Sequence, residues 1–355
     1  MNKTAKQSSV LVVDDIDSIR GAIVEYIQKD FITHEAADGF EALKILAKED
    51  IQFLITDIRM PGMSGLQLCK LSMERFPGVQ PILMTAYNPD DYIRFAREFG
   101  IWNLIPKSTA LNLEWIRVML KKLEPGVDIF GIEHYFPGTP VEKISLGEMH
   151  RIHRHKRDSD LINVFFQIQI TNHEEHNTIS DMIGDFLIEQ GSPSSVRMIL
   201  EELSANAIIH APRVRQRIRD LMLQEQQSGS NEHAGRDDVS LEQIGIEAGD
   251  AFDMCFGILN RHTVFSIKDR HGAFNKVAAL NCLERQTSLD PGTGLPIGLA
   301  DYHGRGLYIS REQLDQLIFN ITPQAVTEII GILNMQEELR SRAISIFESQ
   351  PVGTA

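Results

Sequence analysis

The sequence predicts an α/β protein in which a doubly wound, five-stranded parallel domain is followed by a second α/β domain. Short apolar runs alternate with helical periods up to about residue 122, and a Gly- and Pro-rich stretch at 125–140 interrupts this rhythm. A second set of strands and helices begins near residue 160. The length of 355 residues is also typical of two or three domains.

The first domain is predicted over residues 8–123. Its strands are the apolar runs VLVVDD, FITHEA, FLITDI, PILMTA and WNLI. Helices are predicted from the first strand to about residue 29 and at 39–48, 66–75, 90–99 and 113–123. Strands that alternate with helices favour a parallel sheet, which binds its ligands at the carboxyl ends of the strands.

The remainder of the chain is predicted as a linker, a second domain and a tail. The linker covers 124–159 and includes a helical segment, and the second domain covers 160–335 with an insertion at about 212–250. Its predicted elements are a strand LINVFFQIQI, helices at about 180–189 and 195–210, a hairpin of MCFGILN and HTVFSIKD, and a strand near 325–330. Residues 336–355 are predicted as a C-terminal helix and tail.

Charge and composition exclude several classes of partner. The net charge of −14 and the pI near 5.3 oppose binding to nucleic acid, which depends on clustered Lys and Arg. The three cysteines are widely spaced and contain no C-x-x-C pair, so neither a disulfide framework nor a zinc site is expected. No run of 18 apolar residues occurs. We therefore expect a cytoplasmic protein with no nucleic-acid or membrane partner.

Three acidic residues end predicted strands of the first domain. Asp14 and Asp15 follow VLVV, and Asp57 follows FLIT. These strand ends converge in a doubly wound sheet, where clustered carboxylates repel one another unless a cation bridges them. Mg²⁺ is the expected ion because it favours oxygen ligands and also holds phosphate oxygens.

Two further residues complete this predicted site. Thr85 ends the next strand and can donate a hydrogen bond to a phosphoryl oxygen, while Lys107 follows the fifth strand and can pair with a phosphorylated Asp57. Acidic and hydroxyl residues at strand ends can instead simply cap the following helices. The presence of all five residues at the appropriate strands favours the phosphoryl site.

The motifs VDD, TDIRMPGMSG and MTA and the late lysine together resemble the response-regulator receiver family over residues 8–122. The resemblance implies that Asp57 accepts a phosphoryl group from a cognate histidine kinase or phosphotransfer protein. It also implies that Thr85 and Lys107 act as switch residues. The implied Mg²⁺ ligands are Asp14, Asp15, Asp57 and the backbone carbonyl of Arg59. The sequence departs from the family at Leu104, where an aromatic switch residue is usual, and at Pro106, which precedes Lys107 rather than following it.

The second domain carries polar residues in a recognisable order. Glu202 and Asn206 lie on one face of the predicted helix at 195–210, and the segments FSIKDRHGAF, HGRGLYIS and AVTEII follow. Over about residues 160–331 this order resembles the histidine-kinase-like ATPase fold, an α/β sandwich, of the anti-sigma-factor type. The loop after Asp269 departs from the D-x-G-x-G pattern, since Arg270, His271 and Gly272 follow it.

This second resemblance implies an ATP site with Mg²⁺. Asn206 would bind the nucleotide Mg²⁺ and Glu202 would act as a base or position a water molecule. Asp269 would contact the adenine amino group, Thr327 would lie beneath the adenine, and the turn around Gly304 and Gly306 would present N–H groups to phosphates. The implied nucleotide-binding residues are Asn206, Asp269, Gly272, Gly304, Gly306 and Thr327.

The sequence leaves more than one function open. The leading hypothesis is a two-component response regulator whose ATP-binding output acts on a protein such as an anti-sigma antagonist, as a serine/threonine kinase. The alternative is a non-catalytic module that sequesters a sigma factor or another regulator, and a homodimer is also open. A histidine kinase is disfavoured because prolines at 125, 137 and 140 interrupt the region where its phosphoacceptor helices would lie.

Overall fold

The chain divides into two compact units in a computed structural model. The first unit comprises residues 1–128 and 343–345, and the second comprises 129–342 and 346–355. The structure describes residues 7–86, 90–107, 112–155, 161–211, 250–288, 290–293, 305–336 and 342–349, with positions 214, 216, 217, 220, 297 and 340. Most of the predicted insertion at 212–250 lies outside the described residues.

The first unit contains the predicted parallel sheet. Its strands and helices are β1 (Ser9–Val13), α1 (Asp17–Ile27), β2 (Ile32–Ala36), α2 (Gly39–Leu46), β3 (Phe53–Asp57), α3 (Gly65–Arg75), β4 (Gln80–Thr85), α4 (Asp90–Phe99), β5 (Asn103–Pro106) and α5 (Leu113–Leu123). The strand order is β2-β1-β3-β4-β5, with parallel pairing throughout. The predicted doubly wound α/β fold is confirmed.

Burial and capping explain why these elements form. Every residue of β1 and β3 is buried, as expected for central strands covered on both faces. Helix α2 begins after Asp38, whose side chain accepts hydrogen bonds from two backbone N–H groups. Helix α3 begins with a capping box between Ser64 and Gln67. These local signals set where the chain turns between strand and helix.

Residues near the carboxyl end of the chain form a strand, β12 (Ala343–Glu348). Its first three residues belong to the first unit, where Ile344 lies opposite Leu104 and Ser345 opposite Asn103 in antiparallel pairing with β5. The prediction of a C-terminal helix and tail over 336–355 is wrong at positions 343–348, which form a strand. The run AISIF is buried along its whole length, and its branched and aromatic residues suit a strand with two covered faces.

The second unit combines a largely antiparallel sheet with helices. Its elements are a 3-10 turn (Ile132–His134), β6 (Val141–Lys143), α6 (Leu146–Arg154), β7 (Phe165–Ile170), α7 (His173–Glu189), α8 (Ser195–His210), β8 (Phe252–Leu259), β9 (His262–Asp269), α9 (Lys276–Thr287), α10 (Arg305–Glu312), β10 (Gln316–Thr322) and β11 (Val326–Asn334). The strand order is β10-β11-β9-β8-β7-β6, and only the β6–β7 pair is parallel among these described strands.

Much of the segment predicted as a linker packs within this second unit. The backbone N–H of Gly131 donates to Glu328 Oε2 at 2.8 Å, and Lys268 Nζ lies 4.8 Å from the centre of the Phe130 ring. Ile132 is almost fully buried. The predicted helical segment of this region is α6, whose capping box joins Ser145 and Glu148.

The helices of the second unit pack against one another and onto the sheet. Helix α8 contacts α7, α10 and strand β9. His176 of α7 and Ser204 of α8 are both buried, with 2.7 Å between His176 Nε2 and Ser204 Oγ. This hydrogen bond fixes the rotation of α8, the helix that carries Glu202 and Asn206. Among the described residues, no helix is both long and apolar enough to cross a bilayer.

Candidate functional sites

The carboxyl ends of β1 and β3 bring three acidic side chains together. The two strands are adjacent and parallel, with Val13 opposite Thr56, so the residues that follow them lie at the same edge. Asp14, Asp15 and Asp57 each place a carboxylate oxygen within 4.8 Å of the others. Asp14 and Asp57 are buried and Asp15 is exposed, so the cluster is open on one side.

Lys107 contacts two carboxylates of this cluster and the end of the neighbouring strand β4. Lys107 Nζ lies 2.6 Å from Asp14 Oδ2 and 2.8 Å from Asp57 Oδ2. The backbone N–H of Lys107 donates to the carbonyl oxygen of Thr85 at 2.6 Å. Thr85 itself is 1% exposed at the end of β4. The five residues predicted from strand ends therefore belong to neighbouring strands at one edge of the sheet.

Opposing effects act on the Asp57 carboxyl group. Burial raises its pKa because a charged carboxylate loses hydration, and the hydrogen bond and charge of Lys107 work in the opposite direction. The charge of Asp14 adds to the increase in the pKa. The net result is a raised pKa. A cation added beside this group would favour its ionised, nucleophilic form.

The loop after β3 passes very close to Asp57. A Cβ atom added to Gly65 would lie 1.9 Å from the carbonyl oxygen of Asp57, a distance that no side chain tolerates. The N–H of Gly65 donates to the carbonyl oxygen of Ile58 at 2.9 Å. Glycine is thus required where the chain turns back into α3. Arg59, the predicted carbonyl ligand, lies in this loop two residues after Asp57.

The donor set of the cluster fits a divalent cation. Three carboxylates within mutual reach are oxygen ligands of the type that Mg²⁺ prefers, and a small hard ion binds through a few carboxylates while it keeps several waters. Asp14, Asp15 and Asp57 would hold such an ion. Its charge would offset the repulsion among them.

Comparisons with known proteins assign this unit to a family. Residues 10–114 match the family model of the response regulator receiver domain. Sporulation initiation phosphotransferase F of Bacillus subtilis is 32% identical over 117 residues, which cover 33% of this chain and 93% of that protein. The chain belongs to the response regulator receiver family. We call residues 1–128 with 343–345 the receiver unit.

Other relatives match the receiver unit alone. The chemotaxis protein CheY-3 of Vibrio cholerae is 35% identical over 115 residues, or 31% of this chain and 88% of that protein. The DNA-binding transcriptional regulator NtrC of Proteus hauseri is 35% identical over 103 residues, and the match covers only 22% of its length. Receiver domains interact with a histidine kinase or phosphotransfer partner, so the family assignment supports this class of partner.

The second unit brings Glu202 and Gly306 together. A Cβ atom on Gly306 would lie 1.8 Å from Glu202 Oε2, which shows that the first turn of α10 rests directly against this carboxylate. Glu202 is partly buried, and burial together with the charge of Glu201 raises its pKa. Asn206 lies one turn further along α8 and is also partly exposed. Gly304 lies outside the described residues.

Asp269 and Thr327 also meet. They are directly opposite in the antiparallel pairing of β9 with β11, although 58 positions separate them in the chain. Asp269 Oδ1 accepts hydrogen bonds from the N–H groups of His271 at 2.8 Å and Gly272 at 3.1 Å. Burial raises the pKa of Asp269, and these two N–H groups oppose the increase.

Gly272 has a structural role in the same loop. Its φ of +55° is in the left-handed region, and an added Cβ would lie 2.2 Å from the carbonyl oxygen of Thr322. The carbonyl oxygen of Gly272 accepts from the N–H of Gln324 at 3.1 Å. The loop after β9 therefore fits closely against the β10–β11 turn, which holds Asp269 in place.

Sequence reasoning did not select His271 as a functional residue. Its Nε2 atom is buried without a hydrogen-bond partner among the described residues, and its ring acts electrostatically on the Asp269 carboxylate. The available signal was its position two residues after Asp269, where the D-x-G-x-G pattern has glycine.

Proposed function

We propose that this protein is a response regulator in which phosphorylation of Asp57 controls an ATP-binding output unit that acts on a protein partner. The acidic cluster of Asp14, Asp15 and Asp57 beside Lys107 carries the first part of this proposal, because its geometry suits phosphoryl transfer to a carboxylate. The resemblance to the histidine-kinase-like ATPase fold of the anti-sigma-factor type supports the second part.

At the receiver site, Asp57 is the nucleophile. One carboxylate oxygen attacks the phosphorus atom of a phosphohistidine or a small phosphodonor, and the bond from phosphorus to the donor breaks as the acyl phosphate forms. A bound Mg²⁺ supplies electrostatic stabilisation to the phosphoryl oxygens. Asp14, Asp15 and Asp57 would hold this ion.

Lys107 and Thr85 then bind the phosphoryl group on Asp57. Before transfer, Lys107 Nζ pairs with both Asp14 and Asp57. The phosphoryl group adds negative charge and new acceptor oxygens, so Lys107 pairs with it instead and the Thr85 hydroxyl donates to one of its oxygens. The backbone contact between Lys107 and Thr85 links the two responses.

In the second unit, the proposed ATP site rests on two pairs of residues. Asp269 and Thr327 contribute a buried carboxylate and hydroxyl for the adenine, and Glu202 lies against the first turn of α10. The N-terminus of that helix would present N–H groups to phosphate oxygens. Asn206 would bind the nucleotide Mg²⁺, and Glu202 would accept the proton of a serine or threonine hydroxyl.

Labelled ATP and a candidate partner of the anti-sigma antagonist type test this output. We expect the full chain to bind ATP and to transfer label to the partner, and Glu202→Ala to retain ATP but lose transfer. Binding of partner and ATP without transfer by the wild type would replace the kinase with a sequestering module. No ATP binding at all would reject the output proposal and leave the receiver proposal intact.

Control by the receiver is tested in the same assay. The chain is treated first with acetyl phosphate and Mg²⁺, and partner binding or transfer is compared with untreated protein and with treated Asp57→Asn. We expect treatment to change the wild type and not the variant. An equal response from both proteins would contradict control through Asp57.

A further inference from the structure

Three polar side chains gather where β9 ends, and two of them have unsatisfied atoms. Thr327 is 1% exposed, and its Oγ1 atom has no hydrogen-bond partner among the described residues. The Nε2 atom of His271 is likewise buried without a partner in the part of the chain that the structure describes. Both residues adjoin Asp269, Thr327 across the sheet and His271 through its backbone N–H.

Buried polar atoms of this kind lower the stability of the fold unless a ligand supplies a hydrogen bond. A buried polar group without a hydrogen bond destabilises the fold, and most buried polar groups in folded proteins have a hydrogen-bond partner. Two neighbouring unsatisfied groups beside a buried carboxylate therefore indicate a ligand that offers complementary polar atoms. The carboxylate is an acceptor, the hydroxyl is both donor and acceptor, and an imidazole N–H is a donor.

The direction of the β9 side chains places Asp269 on the same side of the sheet as the helices. Alternate residues of a strand point to opposite faces. Lys268 lies over the Phe130 ring of the segment near the 3-10 turn, so Asp269 faces the other way, toward α8. Thr327, directly opposite Asp269 in the pairing, lies on this same face, and the backbone N–H of His271 donates to the Asp269 carboxylate.

We propose that His271 is a base-contacting residue of the nucleotide site, with its Nε2–H donating to a ring nitrogen of the adenine. This proposal rests on the ATP binding proposed above. Adenine presents an amino donor next to a ring-nitrogen acceptor on each of two edges. Asp269 accepts from the amino group while His271 donates to the adjacent nitrogen, and Thr327 completes the set.

The role proposed for His271 depends on a departure of this sequence from the usual pattern. His271 occupies the position at which the D-x-G-x-G pattern has glycine, a residue with no side chain to offer. The backbone of His271 remains engaged by Asp269 Oδ1 at 2.8 Å, so the imidazole is anchored beside the carboxylate. The missing glycine is therefore replaced by a recognition group rather than merely lost.

Calorimetric titration of the full chain with ATP and Mg²⁺ tests the assignment. We expect His271→Gly to weaken binding about tenfold, the effect of removing one buried hydrogen bond, and His271→Gln to stay within about threefold because its amide still donates. His262→Gln is the matched control, since His262 begins the same strand that Asp269 ends. Equal unfolding midpoints of all variants would show that the fold is retained.

Analogues that lack one ring nitrogen separate contact from indirect structural effects. Either 1-deaza-ATP or 7-deaza-ATP should bind the wild type about tenfold more weakly than ATP and bind His271→Gly as well as ATP does. The proposal is wrong if His271→Gly binds ATP like the wild type, or if both analogues weaken both proteins equally. Failure of the wild type to bind ATP would instead overturn the proposed function and this inference together.

Discussion

The two units stabilise a buried carboxylate with different kinds of group. In the receiver unit, Asp57 lies among other carboxylates and is held by the ammonium group of Lys107 at 2.8 Å. In the second unit, Asp269 is held by two backbone N–H groups, and the side chains of His271 and Thr327 beside it each have an atom without a hydrogen-bond partner among the described residues. Burial raises the pKa of both groups.

The difference indicates two kinds of chemistry. A cluster of carboxylates paired with one ammonium group responds strongly when a metal or phosphoryl group changes the local charge. A carboxylate fixed by backbone donors changes little in charge and instead selects a ligand by its hydrogen-bonding edge. This difference supports the switching proposed for the receiver site and the ligand recognition proposed for the second site.

The largest expected effect concerns the switching site. Asp57→Asn should abolish labelling by acetyl phosphate in the presence of Mg²⁺, because the amide is not a nucleophile for phosphorus. Asp38→Asn is the matched control, since asparagine caps the start of α2 as well as aspartate does. Intact-protein mass spectrometry measures the incorporated phosphoryl group. Equal labelling of Asp57→Asn and wild type would contradict the role of Asp57 as phosphoacceptor, and with it the contrast drawn with Asp269.

The loops next to Asp57 and Asp269 each contain a closely packed glycine. Gly65→Ala and Gly272→Ala should each lower the free energy of unfolding by about 3 kcal/mol, because the added methyl group meets a backbone oxygen. Gly21→Ala in α1 is the control, since no neighbouring atom lies within 4 Å of the place its methyl group would occupy and alanine favours helix. Calorimetry measures the transitions. Wild-type stability of either variant would contradict this account of its loop.

Magnesium should act on the charged site. Mg²⁺ at a hundred times its dissociation constant stabilises a folded protein by about 2.7 kcal/mol, and we expect a shift of this order for the wild type. Asp15→Asn removes one ligand and should strongly reduce the shift, while Glu49→Gln, an exposed change outside the cluster, should not. Thermal unfolding at constant ionic strength measures the effect. The same shift in Asp15→Asn would contradict the ligand assignment.

The smallest effect concerns the helix packing behind the recognition site. Burial, aided by the charge of His173, lowers the pKa of His176. The contribution of His176 to the free energy of unfolding is therefore fully present above the unfolded-state pKa of about 6.5. It is lost as the pH falls below that value. In His176→Gln, the free energy of unfolding should change less between about pH 7 and pH 5 than it does in the wild type. Identical slopes for both proteins would contradict this contribution.

Local patterns sufficed for residues 8–123 of the receiver unit. Each predicted strand and helix corresponds to an observed element, and Asp14, Asp15 and Asp57 meet because neighbouring parallel strands end at one edge. The ion pairs of Lys107 with two of these carboxylates could not be read from spacing, since they depend on side-chain placement across several strands. The closeness of Gly65 to Asp57 is likewise a property of the folded loop.

Prediction was weaker where contacts join distant segments. Strand β10 of the second unit was not predicted, and residues 343–348, predicted as part of a C-terminal helix and tail, form β12, whose first three residues belong to the receiver unit. The segment before α6 was interpreted as a linker, yet Gly131 donates to Glu328, 197 positions away. Pairings of this kind leave no local period in the sequence.

The sequence by itself determined the receiver fold and the residues at its strand ends, because both follow from local hydrophobic periods and the regular order of a doubly wound sheet. Only the tertiary structure decided which polar atoms lie unsatisfied beside Asp269, which face of β9 they share, and that Gly306 rests against Glu202. Those facts depend on register and burial among residues far apart in the chain, and these arise only when the sheet and its helices pack together.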